Sequence, residues 1–539
     1  MAATLFAQGV TFSYGRLTIV DDIDLTVAPG HRVGIVAPNG IGKSTLLKCL
    51  ADILPLEKGS VRLAPPNATV GYLPQEPERR ADETLLQFLA RRTGVADANR
   101  DLDEATEELA AGVEGADSRY ADALERWLNL GAADLDSRAE EVCADLGLPE
   151  RTLTLPMTAL SGGQAARASL AGIVLSRYDI FLLDEPTNDL DAAGLDRLER
   201  FVNDLRAGTV IVSHDRAFLE RTITDVLEID EHTRQAQFFS GGWLAYLDDR
   251  AVARRHAEEA FDEYRSRKSE LEDRARTQRQ WAADGVRKAK KDTSEKDKNI
   301  RSNRIERSEK LASKVRISEK ALQRLDAVEK PWEGWDLHLE IATAPRSGDV
   351  VCRLDQAVMH RGDFVLGPID LDIAWAERIA IVGPNGSGKT TLLDAILGRL
   401  PLDSGTRFFG PGVIVGELEQ SRSRFLGDRP LVDGFTSESG LLPQEARSLL
   451  AKFGLSATHV QRRARSLSPG ERTRAALALL MAKGVNCLVL DEPTNHLDLQ
   501  AIEQLEQALQ TYNGTLLLVT HDRRLRDAIT IDREIVLDG

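Results

Sequence analysis

Cysteine is scarce. Four occur in 539 residues, Cys49, Cys143, Cys352 and Cys487, and no two share a C-x-x-C spacing. That excludes a disulfide framework and a zinc module, and leaves isolated thiols expected to be buried and reduced. Long apolar runs are also missing. The best candidate, Ala475 to Leu490, is interrupted by Lys483 and Asn486, so no membrane-spanning helix is expected. No basic residue precedes an apolar core in the opening MAATLFAQGV, so a secretory signal is not expected and the expected location is cytoplasmic. Positive charge is in deficit, with 69 Lys and Arg against 85 Asp and Glu, a net −16. With 42% apolar and 29% charged residues the chain is otherwise of ordinary globular composition, and its length implies three or four domains.

Proline is absent from residues 247–330, and Gly285 is the one glycine there. Apolar residues recur at Ala257, Phe261, Tyr264, Leu271 and Ala275, then at Leu311, Val315, Leu322 and Leu325. Steps of three, four and seven predict helices with one apolar seam. The segment from Gly285 to Asn299 is mostly charged and predicts a polar tip between two antiparallel arms, which Pro331 ends. An arm of about 35 residues would span roughly 50 Å. Arg287–Arg316 holds twelve Lys and Arg and five Asp and Glu, a net +7, so the remainder of the chain sums to −23. A cationic prong on an acidic body points to a polyanion, although a solvated spacer would carry charge too.

The flanking sequence is duplicated. LFAQGVTFSY and IDLTVAPG read as strands, and HRVGIVAP then runs into NGIGKSTLLKCL; IDLDIAWAERIAIVGPNGSGKTTLLDAIL repeats the pattern. A strand, a glycine-rich turn, Gly-Lys-Ser/Thr and a helix form the phosphate-binding P-loop. The loops Asn39, Gly40, Gly42, Lys43, Ser44, Thr45 and Gly383, Asn385, Gly386, Gly388, Lys389, Thr390, Thr391 would curl their amides onto phosphates at a helix N-terminus. Lys43 and Lys389 would neutralise the terminal phosphates, and the Ser44 and Thr390 hydroxyls would hold Mg²⁺. Lys43 and Lys389 are 346 residues apart and Gln75 and Gln420 345 apart, whereas Ser161/Ser468, Glu185/Glu492 and His214/His521 are 307 apart. The first copy therefore carries about 38 extra residues between Gln75 and Ser161, a helical, acidic insert within about 82–150.

Two apolar runs, FLLDE and LVLDE, read as buried strands ending in carboxylates. Asp184 and Asp491 suit Mg²⁺ coordination through water, and Glu185 and Glu492, one residue on, suit polarising an attacking water. His214 and His521 follow a further strand and are placed for a terminal phosphate. LSGGQ (Ser161, Gly162, Gly163, Gln164) and LSPGE (Ser468, Pro469, Gly470, Glu471) each begin a helix and would offer a hydroxyl, amides and the helix dipole to a phosphate. With head-to-tail docking, one nucleotide would lie between Lys43 and Ser468 and the other between Lys389 and Ser161.

Taken together these residues resemble the motif set of ATP-binding cassette (ABC) ATPases, present twice and in order. Two cassettes, no membrane span and a long charged linker resemble the ABC-F branch in particular. The resemblance implies an α/β fold: two P-loop NTPase ABC cassettes (1–246 and 331–539) joined by a long antiparallel α-helical linker hairpin (247–330). It implies ATP hydrolysis with ATP and Mg²⁺, Gln75 and Gln420 as further cation ligands, and Tyr14 as an adenine-stacking aromatic. It also implies intramolecular cassette pairing in a monomer, and a ribosome partner whose rRNA or tRNA meets the basic tip, in translation or in protection against antibiotics. An exporter ATPase with separate membrane subunits is the alternative; a DNA-repair or chromosome-organising ATPase lacks the expected zinc module or longer coiled coil.

The copies are unequal. Ala37 stands where the second loop has Gly383, Asp189 stands where the second copy has His496, and His360 or Arg361 must serve where the first copy has Tyr14. Pro469 and Glu471 replace Gly162 and Gln164. Glu185→Gln and Glu492→Gln, made singly, are expected to reduce steady-state ATP turnover by different factors; equal losses would contradict two unlike sites.

Overall fold

The computed structural model describes residues 3–15, 17–74, 80, 82–188, 190–230, 233–291, 345–362, 364–418, 425, 427–467, 469–495 and 497–537. Gln75, Gln420, Ser468, Asp189, His496, the second linker arm and Pro331 fall outside these residues. Contacts divide the chain into two compact units. One joins Met1–Leu244 to Leu337–Gly539, and the other is Ala245–Asp336.

In the first unit the chain forms β1 (Thr4–Tyr14), β2 (Leu17–Val27), β3 (Arg32–Val36), α1 (Lys43–Leu50), β4 (Lys58–Ala64) and β5 (Val70–Leu73). Helices α2 (Leu85–Arg92), α3 (Val95–Ala110), α4 (Ala116–Asn129), α5 (Leu135–Asp145) and α6 (Gly162–Leu175) follow. The first cassette closes with β6 (Ile180–Asp184), α7 (Ala192–Asp204), β7 (Gly208–Val212), α8 (Arg216–Thr222), β8 (Asp225–Ile229) and β9 (Ala236–Ser240). β6 and β7 are buried at every position, as expected of apolar strands covered on both faces. They lie inside a sheet of order β5-β6-β7-β3-β8-β9, parallel except for β9. Strands β2-β1-β4 form a separate antiparallel sheet. Between the two sheets, α1 packs its Leu46, Leu47 and Leu50 into a core with Val33, Ile35, Leu182 and Val210.

The linker helix α9 runs unbroken from Gly242 to Lys291. It therefore passes through Gly285, where the tip was expected to begin. One glycine removes side-chain packing and costs ~1 kcal/mol against alanine, too little to end a helix of 50 residues. At ~1.5 Å per residue the described helix is roughly 75 Å long.

The second cassette repeats the plan with β10 (Val350–Arg361), β11 (Phe364–Ala374), β12 (Arg378–Val382), α10 (Lys389–Leu397), β13 (Ser404–Phe409) and β14 (Val415–Leu418). It continues through α11 (Leu431–Ser439), α12 (Pro443–Lys452), α13 (Ala457–Gln461) and α14 (Pro469–Lys483). Then come β15 (Cys487–Asp491), α15 (Leu499–Thr511), β16 (Thr515–Val519), α16 (Arg523–Ala528) and β17 (Arg533–Val536). The parallel sheet has order β14-β15-β16-β12-β17 and the antiparallel one β11-β10-β13.

The extra length of the first cassette is concentrated in α3 and α4. The Leu85 amide at the start of α2 donates to the Leu155 carbonyl, as the Leu431 amide of α11 does to Arg462. These helices are thus equivalent, and α3 and α4 have no partner element in the second cassette among the described residues. A small core of Val95, Ala98, Leu130 and Leu135 anchors the pair. Residues 95–129 carry ten acidic and three basic side chains. The four cysteines are free and buried.

Gly59 in β4 and Gly405 in β13 occupy equivalent positions beside irregularities of β1 and β10. Their φ values are +90° and +85°, and an added Cβ would lie 2.3 Å from the Gly9 and Gln356 carbonyl oxygens respectively. Replacing either by alanine adds left-handed strain to a backbone clash. Gly59→Ala and Gly405→Ala are each expected to destabilise by about 2 kcal/mol or more, read from the urea midpoint. An unchanged midpoint would show that the strand can move aside.

Candidate functional site

Both P-loops lead from a parallel strand into a helix whose N-cap is a left-handed glycine, Gly42 at φ 118° and Gly388 at φ 96°. The loops wrap around their own lysines. Lys43 Nζ donates to the Ala37 carbonyl at 2.9 Å and to Asn39 Oδ1 at 3.2 Å. Lys389 Nζ donates to the carbonyls of Gly383 at 2.8 Å and Pro384 at 2.9 Å. Burial lowers the pKa of each ammonium below the usual lysine value, opposed by the nearby carboxylates. Ala37 is not among the residues with positive φ, so its methyl is tolerated, whereas Gly383 has φ 156° and a Cβ there would meet the Leu537 carbonyl.

Asp184 and Asp491 end β6 and β15, and the chain then turns sharply. Glu185 and Glu492 have φ of 50° and 47°, a conformation costly for residues with a side chain. Their amides are tied to the Val212 and Val519 carbonyls at 2.8 and 2.9 Å. The turn swings each glutamate toward the histidine of the next strand. Glu185 Oε1 lies 3.2 Å from His214 Nε2, and Glu492 Oε1 3.5 Å from His521 Nε2. The histidines in turn meet their own P-loops, His214 at Asn39 Oδ1 (3.0 Å) and His521 at Asn385 Oδ1 (3.2 Å). Burial pushes the pKa of Glu185 up to about 7 against the pull of Lys43, and that of Glu492 up to about 8. Burial lowers His521 to about 4, so its ring is neutral at pH 7. A carboxyl poised near neutrality can take a proton from water at working pH.

The residues expected to hold a divalent cation offer hard oxygens. Thr390 Oγ1 donates to Asp491 Oδ2 at 3.2 Å. Asp184 Oδ1 is buried without a hydrogen-bond partner among the described residues. No cluster of three or more His, Cys, Asp or Glu able to ligate a metal occurs among the described residues. A cation here would draw most ligands from water and phosphate, which fits Mg²⁺ better than Zn²⁺ or Ca²⁺.

The cassettes face each other across these loops. Asp191 caps α7 by accepting from the Gly194 amide at 3.0 Å through Oδ1, while its Oδ2 accepts from the Asn385 amide of the opposite P-loop at 3.2 Å. Asp498 caps α15 on the Ala501 amide at 3.0 Å, and its Oδ2 accepts from the Asn39 amide at 3.3 Å. Arg216 pairs with Glu506, and Arg523 with Asp196 at 2.7 Å and Glu199 at 3.5 Å. Arg216/Arg523, Glu199/Glu506 and Asp191/Asp498 are each 307 residues apart, so the contacts are reciprocal. Sequence reading passed over all of these. The usable signal was an aspartate six residues beyond each catalytic-type glutamate and one residue before a helix.

Ser161 caps α6 in a capping box, accepting from the Gln164 amide at 3.3 Å while Gln164 Oε1 accepts from the Ser161 amide at 2.9 Å. Gln164 is thereby committed to the cap, and the Ser161 O–H keeps its proton for another acceptor. Gly163 comes so close to the second P-loop that an added Cβ would be 3.2 Å from Asn385 Cβ. Glu471, in contrast, is engaged by His459 at 3.2 Å and Arg462 at 3.4 Å. Pro469 and Gly470 start α14.

A cavity of about 930 Å³ is lined by Gly163, Lys389, Thr390, Asp491, Glu492 and His521, among others. One of about 280 Å³ is lined by Asn39, Gly40, Gly42, Lys43, Ser44, Thr45, Asp184 and Glu185. Tyr14 ends β1, is 58% exposed and meets Phe12 edge-on at 4.9 Å. At the equivalent turn His360 is drawn to Asp403 at 3.0 Å, while Arg361 and Phe364, paired across the hairpin, both line the larger cavity. Phe364 was missed because the aromatic lies on the far strand of the turn, three residues after Arg361.

The glutamate environment has a consequence for stability. A carboxyl whose folded pKa exceeds its unfolded value of 4.5 favours the protonated protein, so its contribution is full below pH 4.5 and is lost as pH rises through 7 to 8. Glu185→Gln and Glu492→Gln should therefore stabilise the nucleotide-free protein at pH 8 by on the order of 2 kcal/mol, and not at pH 4.5. Denaturant titrations at both pH values check this, and a pH-independent difference would contradict the burial argument.

The sequence matches the family described as ABC transporter over residues 20–188 and 366–495. No helix among the described residues is long and apolar enough to cross a membrane. The chain is 34% identical to the tylosin resistance ATP-binding protein TlrC of Streptomyces fradiae, over 98% of this chain and 96% of that protein. It is 31% identical to the energy-dependent translational throttle protein EttA of Mycobacterium tuberculosis, over 96% and 88% respectively. In fold it is similar to the archaeal ribosome recycling factor aABCE1, at 20% identity and a TM-score of 0.56, over 98% of this chain and 87% of that one. With two cassette matches in one polypeptide and relatives spanning nearly its full length, the chain belongs to the ATP-binding cassette family, in its ABC-F branch.

Proposed function

We propose that this protein is an ATP-hydrolysing ABC-F factor that acts on the ribosome, in translation or in its protection from an antibiotic. The reciprocal aspartate contacts carry the reading of the cassettes (1–246 and 331–539). Asp191 and Asp498 each reach from one cassette to the P-loop of the other, so a nucleotide held by either loop is sensed by both. ATP would lie between Lys389 and the Ser161 helix start at one site, and between Lys43 and the Ser468 helix start at the other. Bound Mg²⁺ would supply charge neutralisation of the phosphates, held through Ser44, Gln75 and Asp184 or through Thr390, Gln420 and Asp491. Glu185 and Glu492 orient and deprotonate water, and His214 and His521 lie beside them with Nε2 at the P-loop asparagines. Tyr14 stacks on adenine in the first site, and Arg361 with Phe364 flanks it in the second.

The ribosomal target rests on the linker (247–330) and on the relatives. A segment of net +7 suits folded rRNA or tRNA, which proteins meet mostly through backbone and 2′-hydroxyls. The relative that is named a translational throttle covers 96% of this chain, linker included. No observation favours the exporter alternative. Pairing of cassettes within one chain supports a monomer.

In sedimentation with ribosomes, the Glu185→Gln/Glu492→Gln double variant should co-pellet with ATP and not without it. Binding should weaken about a hundredfold or more between 50 and 200 mM salt, as several phosphate contacts require. Nucleotide-independent or absent binding would overturn the proposal.

A further inference from the structure

The two strands that lead toward Gln75 and Gln420 pair in the same register with the strands that end in the cation-binding aspartates. Tyr72 lies opposite Leu182, two residues before Asp184, and Glu417 lies opposite Val489, two residues before Asp491. The side chains at this shared position are chemically unlike. The Tyr72 hydroxyl donates to Asp184 Oδ2 at 2.9 Å. Glu417 is buried and engaged by Arg399, whose Nη1 donates to Oε1 at 2.6 Å. It has no proton to offer Asp491 while so paired.

We propose that Tyr72 is a positioning residue of the first nucleotide site alone, holding Asp184 ready for a divalent cation, and that the second site has no donor at the matching strand position. This rests on the ATP- and Mg²⁺-binding function proposed above. In the first site the phenol occupies Oδ2, fixes the carboxylate plane and leaves the buried Oδ1 as the remaining acceptor. In the second site Asp491 is held instead by Thr390, itself an expected cation ligand, through Oδ2. That hydroxyl can keep this bond while its oxygen lone pairs face a cation, so Asp491 is steadied by a group on the cation's own side. The first carboxylate is thus fixed by a side chain that the cation does not use, and the second by one that it does. The sites therefore differ in how strongly the cation and the nucleotide assist each other, an asymmetry that none of the loop, signature or glutamate motifs encodes.

Tyr72→Phe removes the hydroxyl and keeps the ring. The probe is a fluorescent, non-hydrolysable ATP analogue titrated with Mn²⁺ and, separately, in EDTA, on full-length protein in a Lys389→Ala background that leaves the first site intact. The ratio of the two dissociation constants measures the assistance the cation gives. Loss of a hydrogen bond to a carboxylate should cut that ratio about tenfold, with the EDTA value unchanged. In a Lys43→Ala background, which leaves the second site intact, Tyr72→Phe should not alter the ratio. An unchanged ratio at the first site, or equal weakening with Mn²⁺ and in EDTA, would overturn the proposal and leave Tyr72 a packing residue. Parent proteins that bind the analogue at neither site would instead refute the nucleotide-binding function itself.

Discussion

A single aspartate per cassette does two jobs, and the arrangement of the two candidate sites depends on it. One carboxylate oxygen of Asp191 caps α7 while the other takes an amide from the opposite P-loop, and Asp498 does the same at α15. The cap fixes the side chain, because an N-cap residue satisfies helix amides that have no partner within the helix. A side chain fixed in this way can report position across an interface. If one P-loop shifts, either the cross-bond or the cap geometry must give. The flanking ion pairs, Arg216 with Glu506 and Arg523 with Asp196 and Glu199, set the same two cassettes in the same relation from the outer side.

Within each centre the opposing requirement is that charge be buried. Lys43, Asp184 and Glu185 are nearly inaccessible, as are Lys389, Asp491 and Glu492. Burial of ionised groups is unfavourable unless they are paired and hydrogen-bonded. The structure meets this by grouping opposite charges and by holding the glutamates in a left-handed turn beside a histidine. Strain is tolerated there because the neighbouring strands, through the Val212 and Val519 carbonyls, leave the turn no alternative. The result is a pair of carboxyls that titrate near neutrality.

Charge is segregated along the chain. Residues 95–129, in α3, α4 and their turn, have ten acidic and three basic side chains, while Arg287–Arg316 has twelve basic and five acidic. By charge alone the first segment would be repelled by nucleic acid and the second attracted to it. Among the described residues only the first cassette carries the acidic helix pair, so the near-symmetry of the ATPase machinery is not shared by its appendages.

Much of this was readable before any coordinates. The two P-loops, the strand-end carboxylates and the histidines are local patterns, each set by a strand-to-helix or strand-to-loop junction, and their repeated spacing placed them in two copies. The linker helix was readable from its apolar seam, although α9 runs past Gly285 because a lone glycine is a weak helix breaker. Other features depend on residues far apart in the chain. Asp191 reaching Asn385, Phe364 entering the cavity beside Lys389, and Tyr72 holding Asp184 are invisible to any window of sequence. The sequence by itself determined which motifs are present and that they occur twice, because a P-loop, a strand-end carboxylate pair and the following histidine are residue types at fixed local spacing. Only the tertiary structure decided which copy faces which, and that the two centres differ behind their shared motifs. Strand register and docking bring together side chains whose separation along the chain carries no signal.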